Sequence, residues 1–147
     1  MNKKEKIKER LISFATKQLG KPYKYGAKTT KNPKNFDCSS FVQYIYKKIG
    51  MNLPRTTIEQ VYCGKNIHPK KDNLQTGDLI FFKGTVGRYN PEFPEGIGHV
   101  VMYIGNGKIM QAKYRKNKYG SVGGKVQVDN VLKVLKRKDL RVIKRII

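Results

Sequence analysis

Three residues of this 147-residue chain could do chemistry together: Cys38, His99 and Gln111. Cys38 stands in Phe36-Asp37-Cys38-Ser39-Ser40, at the start of an amphipathic helical pattern. Helix N-termini carry unpaired N–H groups and partial positive charge, which favour loss of a thiol proton. A thiolate is the nucleophile of cysteine hydrolases, and it works with an imidazole whose tautomer a third polar group holds. The chain has two histidines. His99 opens an apolar strand directly after a glycine-bearing loop, where a strand end can face a cleft. His68, in Asn66-Ile67-His68-Pro69, lies in no apolar period and reads as a surface residue. Gly105-Asn106-Gly107 predicts a tight hairpin turn, which pairs Lys108–Ala112 with the His99 strand and brings Gln111 near its level. A glutamine carbonyl accepts an imidazole N–H without adding a charge. By spacing alone, separate structural roles for the three residues stay open.

Other chemistries find little support. There is no CxxC or HExxH, and the few Cys and His have no zinc-ligand spacing, so no metal is expected. No GxGxxG or P-loop occurs, and no cofactor is expected. Acidic residues are few and several fall at caps or turns, which disfavours paired-carboxylate glycosidase chemistry. Two cysteines make no disulfide framework, and pairing them would consume the nucleophile. Cys63 is expected to be a small buried residue near a helix end.

The elements that must position these residues follow from periodicity. Lys4 to Leu19 reads as a helix with Ile7, Leu11, Phe14, Ala15 and Leu19 on one face, ended by Gly20 and Pro22. Cys38 to Ile49 reads as a second helix, capped by Asp37 and closed by Gly50. Pro54 opens a short third segment in which Thr56 and Glu59 have capping-box spacing and Gly64 is the stop. Strands are expected at Leu79–Phe82, His99–Ile104, Lys108–Ala112, Lys125–Val128 and Leu140–Ile146. Lys83–Gly98 and Lys113–Gly124 read as long loops framing a cleft. Helices followed by a mostly antiparallel sheet make an α+β domain, and residues 1–147 are expected to form one.

The charge is extreme: 32 Lys and Arg against 10 Asp and Glu, a net +22. Such a surface suits polyanions, among them anionic cell-wall polymers, although a plain lysine bias fits equally. The basic residues are spread from Lys3 to Arg145 with no recognition-helix spacing, which disfavours nucleic acid as the partner. Met1–Arg10 is charged and is not followed by the apolar stretch of a secretory signal. No run approaches the ~18 apolar residues of a membrane span.

The ordered series Gly20-Lys21-Pro22-Tyr23, Phe36-Asp37-Cys38-Ser39-Ser40, Leu53-Pro54-Arg55-Thr56, Gly77-Asp78-Leu79-Ile80-Phe81-Phe82, Gly98-His99-Val100 and Tyr103-Ile104-Gly105-Asn106-Gly107-Lys108 resembles the NlpC/P60 cell-wall peptidases. The resemblance spans roughly Phe14 to Val128. It implies a papain-like α+β fold, with N-terminal helices on a mostly antiparallel five- to six-stranded sheet. It also implies hydrolysis of peptidoglycan stem peptides, commonly between D-γ-glutamate and the diamino acid. By position, Cys38 is then the nucleophile, His99 the base and later acid, and Gln111 the third polar residue. Tyr23 matches a tyrosine that assists the oxyanion or binds substrate. Asp37 matches an acid that contacts a free peptide amine, and Ser39 and Ser40 flank the nucleophile at the oxyanion or an adjacent subsite. Three departures stand out: Ser40 replaces a usual glycine, Gln111 a usual histidine, and the Lys83–Gly98 loop is long. The implied setting is extracellular or wall-associated, as a monomer. An amidase or acyltransferase on the same fold, or a non-catalytic polybasic wall- or nucleic-acid-binding module, are the alternatives.

Overall fold

Local signals near the nucleophile are strong enough to fix the first half of the chain. The computed structural model describes residues 1–118 and 120–147, with 117 and 120–122 described by backbone alone. Helix α1 spans Lys3–Thr16 and buries Leu11 and Ala15. It stops earlier than its apolar period suggests, so Leu19 lies beyond it and is exposed. Helix α2 spans Cys38–Lys48 and buries its first five residues together with Ile45 and Tyr46. Asp37 caps it reciprocally: its Oδ1 accepts from Ser40 N at 2.8 Å, and Ser40 Oγ accepts from Asp37 N at 3.0 Å. That pairing satisfies two groups that would otherwise be orphaned at a buried helix start.

Helix α3 is one turn, Thr57–Gln60. The capping box expected there does not form. Thr56 Oγ1 donates to the Glu59 carboxylate at 2.6 Å instead of accepting from the backbone.

The remaining elements build one six-stranded sheet. Its strands are β1 (Lys65–Ile67), β2 (Leu79–Lys83), β3 (Ile97–Gly105), β4 (Lys108–Asn117), β5 (Gly120–Asn130) and β6 (Leu140–Arg145). Their order is β1-β6-β2-β3-β4-β5, every pairing antiparallel. The β3–β4 turn runs through positive φ at Gly105, Asn106 and Gly107 (91°, 51° and 73°), the backbone that Gly and Asn tolerate. The expected loop at Lys113–Gly124 is largely β4 and β5, which continue as a two-stranded ribbon.

Alternation explains why β2 is apolar at every position but its last. Leu79 and Phe81 join Val100, Met102 and Met110 in the core beneath α1 and α2. Ile80 and Phe82 join Val101, Tyr103 and Ile109 on the other face, where Val131 and Val134 of helix α4 (Val131–Leu135) cover them. With both faces covered, a strand reads as a continuous apolar run. Asp78, at the entry to β2, is fully buried against Arg145, which donates from Nε and Nη2 at 2.9 and 2.8 Å.

Candidate active site

Cys38 is the first residue of α2, and α2 lies across β3 and β4. The thiol is 7% exposed and rests on β3 backbone to either side of His99: Sγ is 4.0 Å from Gly98 O, and Val100 supplies a backbone hydrogen bond. Close approach here depends on glycine. A Cβ on Gly84 would lie 2.0 Å from Gly98 Cα, so the end of β2 can pass the start of β3 only without side chains.

His99 and Gln111 meet across the β3–β4 pair. The register pairs Met102 with Met110, which sets His99 and Gln111 diagonally on one face. His99 Nε2 lies 2.7 Å from Gln111 Oε1. Gln111 is almost fully buried, and its Nε2 donates to Asp129 Oδ2 at 2.8 Å. A carboxylate only accepts, so Asp129 fixes which way the Gln111 amide faces. Its carbonyl must then point at His99, and His99 must carry its proton on Nε2. Nδ1 is left as the free base. Gln127 also donates to Asp129, at 2.7 Å, and holds that carboxylate in place. Burial raises the Asp129 pKa, and the two glutamine hydrogen bonds outweigh it, so the carboxyl sits below its usual range.

Burial dominates the two reacting groups. It pushes the Cys38 thiol up to about 11, over the opposing backbone hydrogen bonds from Val100 and Ser39. The helix start favours the thiolate, and burial works against it, toward the thiol. Burial also pushes His99 down to about 4, with the cations Arg137 and Lys113 adding to it and Gln111 opposing it. The His99 ring packs on Phe82, 5.9 Å between centroids. Arg137 stacks 4.2 Å over the other ring of that pair, Phe82.

Asp37 does more than cap. Its Oδ2 accepts from Arg55 Nη2 at 2.7 Å and from Gly26 N at 3.1 Å. Arg55 also donates to Ser39 Oγ at 2.8 Å and Ala27 O at 2.9 Å, tying the loop before α2 to the helix start. Burial alone would raise Asp37, but these hydrogen bonds outweigh it and hold the carboxyl below its usual value. Ser40 is 2% exposed, with its hydroxyl spent on Asp37, so it sits inside the cap and not in the cleft.

Tyr23 is strung between elements by its backbone, donating to Gly124 O at 2.9 Å and bridging Phe36. Its hydroxyl is shifted up, first by burial and then by the neighbouring Cys38 and Asp37.

These residues line one cleft with two limbs. Asp37, Cys38, Ser39, Arg55 and Thr57 line the smaller, about 380 Å³. His99, Lys83, Lys113, Tyr114, Lys116 and Arg137 line the larger, about 1040 Å³. Tyr23, Tyr25, Val86 and Gly98 belong to both, so the limbs adjoin there, with Cys38 lining the smaller and His99 the larger.

The remaining candidates fall elsewhere. His68 is exposed and Cys63 is half-exposed, not buried; the two cysteines are free. Among the described residues no group of three His, Cys, Asp or Glu could hold a metal ion, and no helix is long and apolar enough to cross a membrane. Arg55, Asp129 and Gln127 were not singled out from the sequence. One signal could have found Arg55: in a chain with 32 bases and 10 acids, an acid buried at a helix start, as Asp37 is, must be held by partners.

Comparison with known proteins places the chain. A model of the NlpC/P60 family matches residues 20–136. The chain is 36% identical over 114 residues to a probable endopeptidase p60 of Listeria innocua, covering 78% of this chain and 21% of that protein. It is 33% identical over 103 residues to the gamma-DL-glutamyl hydrolase of Bacillus subtilis, covering 69% of this chain and 22% of the relative. The structure of the peptidoglycan hydrolase RipB from Mycobacterium tuberculosis superposes with a TM-score of 0.71 at 26% identity, covering all of this chain and 69% of that one. The chain thus spans about a fifth of the length of these curated relatives.

Proposed function

The chain belongs to the NlpC/P60 family, and from that premise we propose that it is a cysteine peptidase cutting peptidoglycan stem peptides, at the bond between D-γ-glutamate and the diamino acid. The observation that carries this reading is the His99–Gln111–Asp129 chain beside a cleft-lining thiol at a helix start. It leaves one imidazole nitrogen free as a base and holds it still, which nucleophilic catalysis requires. The 147 residues are read as one catalytic domain acting outside the cell or at the wall, where anionic wall polymers suit its charge.

In the proposed reaction the substrate carbonyl settles at the start of α2. Cys38 passes its proton to His99 Nδ1 as sulfur attacks the carbonyl carbon. Backbone N–H groups at the helix start, and Tyr23 beside them, stabilise the resulting oxyanion. His99 then protonates the leaving amine as the C–N bond breaks, leaving a thioester on Cys38. Water, deprotonated by His99, attacks the thioester and releases the acid and the thiol. Asp37, held by Arg55 and Ser39, presents its carboxylate to the acyl side of the cleft.

Digestion of purified peptidoglycan tests this. Wild-type enzyme should release stem-peptide fragments, and Cys38→Ala should release none. Mass spectrometry of the new amine separates the proposed bond from cleavage by an amidase or acyltransferase on this fold. Unchanged release by Cys38→Ala would sink the assignment.

A further inference from the structure

The two limbs of the cleft differ in charge. The limb beside Cys38 holds one carboxylate, Asp37, paired with Arg55. Among the described residues, the limb beside His99 is lined by Lys83, Lys113, Lys116 and Arg137 and by no Asp or Glu. Two of these cations are already engaged. Arg137 makes a two-point pair with Asp139 at 2.8 and 2.6 Å, and Lys83 lies 3.9 Å from Glu95. Lys113 and Lys116 have no ion pair among the described residues, and Lys116 only overlies the Tyr114 ring at 5.6 Å.

Lys113 and Lys116 both line this limb. The β4–β5 register shifts between Tyr114 and Lys116, with the extra residue on β5: Tyr114 pairs with Gly124 and Lys116 with Ser121. Two cations without an ion pair in the wall of a cleft beside the candidate base point to a ligand group of opposite charge.

We propose that Lys113 and Lys116 form a subsite for the terminal carboxylate of the leaving fragment. The proposal rests on the peptidase reading above. In that reaction His99 gives its proton to the leaving amine, so the fragment carrying that amine lies in the limb His99 lines. A stem peptide ends one or two residues past the diamino acid, which brings its free carboxylate within that limb. Two charge-assisted contacts, in a cleft still open to solvent, correspond to roughly a tenfold preference for the acid.

The test uses two synthetic peptides, L-Ala-D-γ-Glu-L-Lys-D-Ala ending in a carboxylate or in a carboxamide. Wild-type kcat/KM should be about tenfold higher for the carboxylate. In the Lys113→Ala/Lys116→Ala double variant, with folding checked by circular dichroism, that ratio should fall below about twofold. Raising salt from about 0.05 to about 0.5 M should narrow the wild-type ratio as well. Equal wild-type rates on the two peptides would overturn the proposal. So would an unchanged ratio in the double variant, which would leave the lysines to general attraction or folding. Cleavage of neither peptide, together with an inert peptidoglycan digest, would instead bring down the peptidase reading and the subsite with it.

Discussion

Replacing Arg55 by alanine should lower stability by about 2 kcal/mol, through Asp37. The magnitude follows from where the pair sits. The Asp37 side chain is 9% accessible and that of Arg55 31%, with 2.7 Å between Nη2 and Oδ2. Breaking a fully buried pair costs about 3–5 kcal/mol, and an exposed pair contributes under about 1. Asp37 keeps the N–H groups of Ser40 and Gly26, which holds the cost below the buried limit. For a domain of this size the loss corresponds to a midpoint lower by about 6 °C in thermal unfolding followed by circular dichroism. The partner assignment is tested by a double-mutant cycle with Asp37→Asn, which keeps a good N-cap and removes the charge. The two changes should couple by about 1 kcal/mol or more. The sign of the pH effect follows from the Asp37 shift. Its folded pKa lies below the ordinary 3.8, so the pair's stabilisation is complete above that value and fades as pH falls through the folded pKa. The Arg55→Ala deficit should therefore be largest near neutral pH and shrink in acid. Additive effects of the two substitutions, or a deficit that does not change with pH, would refute the reasoning.

Three further outcomes concern the reacting groups and the residues that hold them. In a Cys63→Ser background, alkylation of Cys38 by iodoacetamide should keep rising with pH toward about 11, because burial holds the thiol there. A plateau reached below pH 7 would mean a preformed thiolate. Gln111→Ala should lower kcat roughly 100-fold with KM within about twofold, since the base loses its orientation and the subsites are untouched. Asp129→Ala should cost kcat about tenfold, because the Gln111 amide is then free to turn its NH2 toward His99. An Asp129→Ala kcat within twofold of wild type would show that the carboxylate does not hold that amide.

Much of the site was legible in local sequence. The Asp37 cap, the α2 face, the Gly105–Gly107 turn and the β3 run are short-range patterns, and together they place Cys38, His99 and Gln111 on neighbouring elements. The turn alone sets the register that brings Gln111 to His99. What stayed hidden is long-range or lacks periodicity. Residues Lys113 to Asn117 are charged or polar at nearly every position, so nothing in their pattern separates a wet ribbon from a loop. Helix α4 has five residues, too few for a helical period to show. Arg55 and Asp129 each act on a residue 18 positions away, and only the folded chain brings them there. Thr56 shows the converse failure. Its spacing to Glu59 suits a capping box, but the two side chains bond each other.

Proton transfer from Cys38 to His99 must be made favourable by the bound substrate. Burial pushes the thiol up and the imidazole down, and both shifts disfavour the ion pair. Around His99 the opposing influences are few: Gln111 and Asp139 favour imidazolium, while Arg137 and Lys113 oppose it. Arg137 is already paired with Asp139, whereas Lys113 has no ion pair among the described residues and only adds to the charge that lowers the Asp129 pKa. A leaving-fragment carboxylate seated on Lys113 and Lys116 cancels that field and raises the His99 pKa at the moment a base is needed. Binding and activation then become one event, and a substrate lacking the charge forfeits both. The sign is checkable. A base works when unprotonated, so the acid limb of the kcat–pH profile should lie at higher pH for the carboxylate peptide than for its carboxamide. Coincident limbs would show that the lysines hold the fragment without reaching the base.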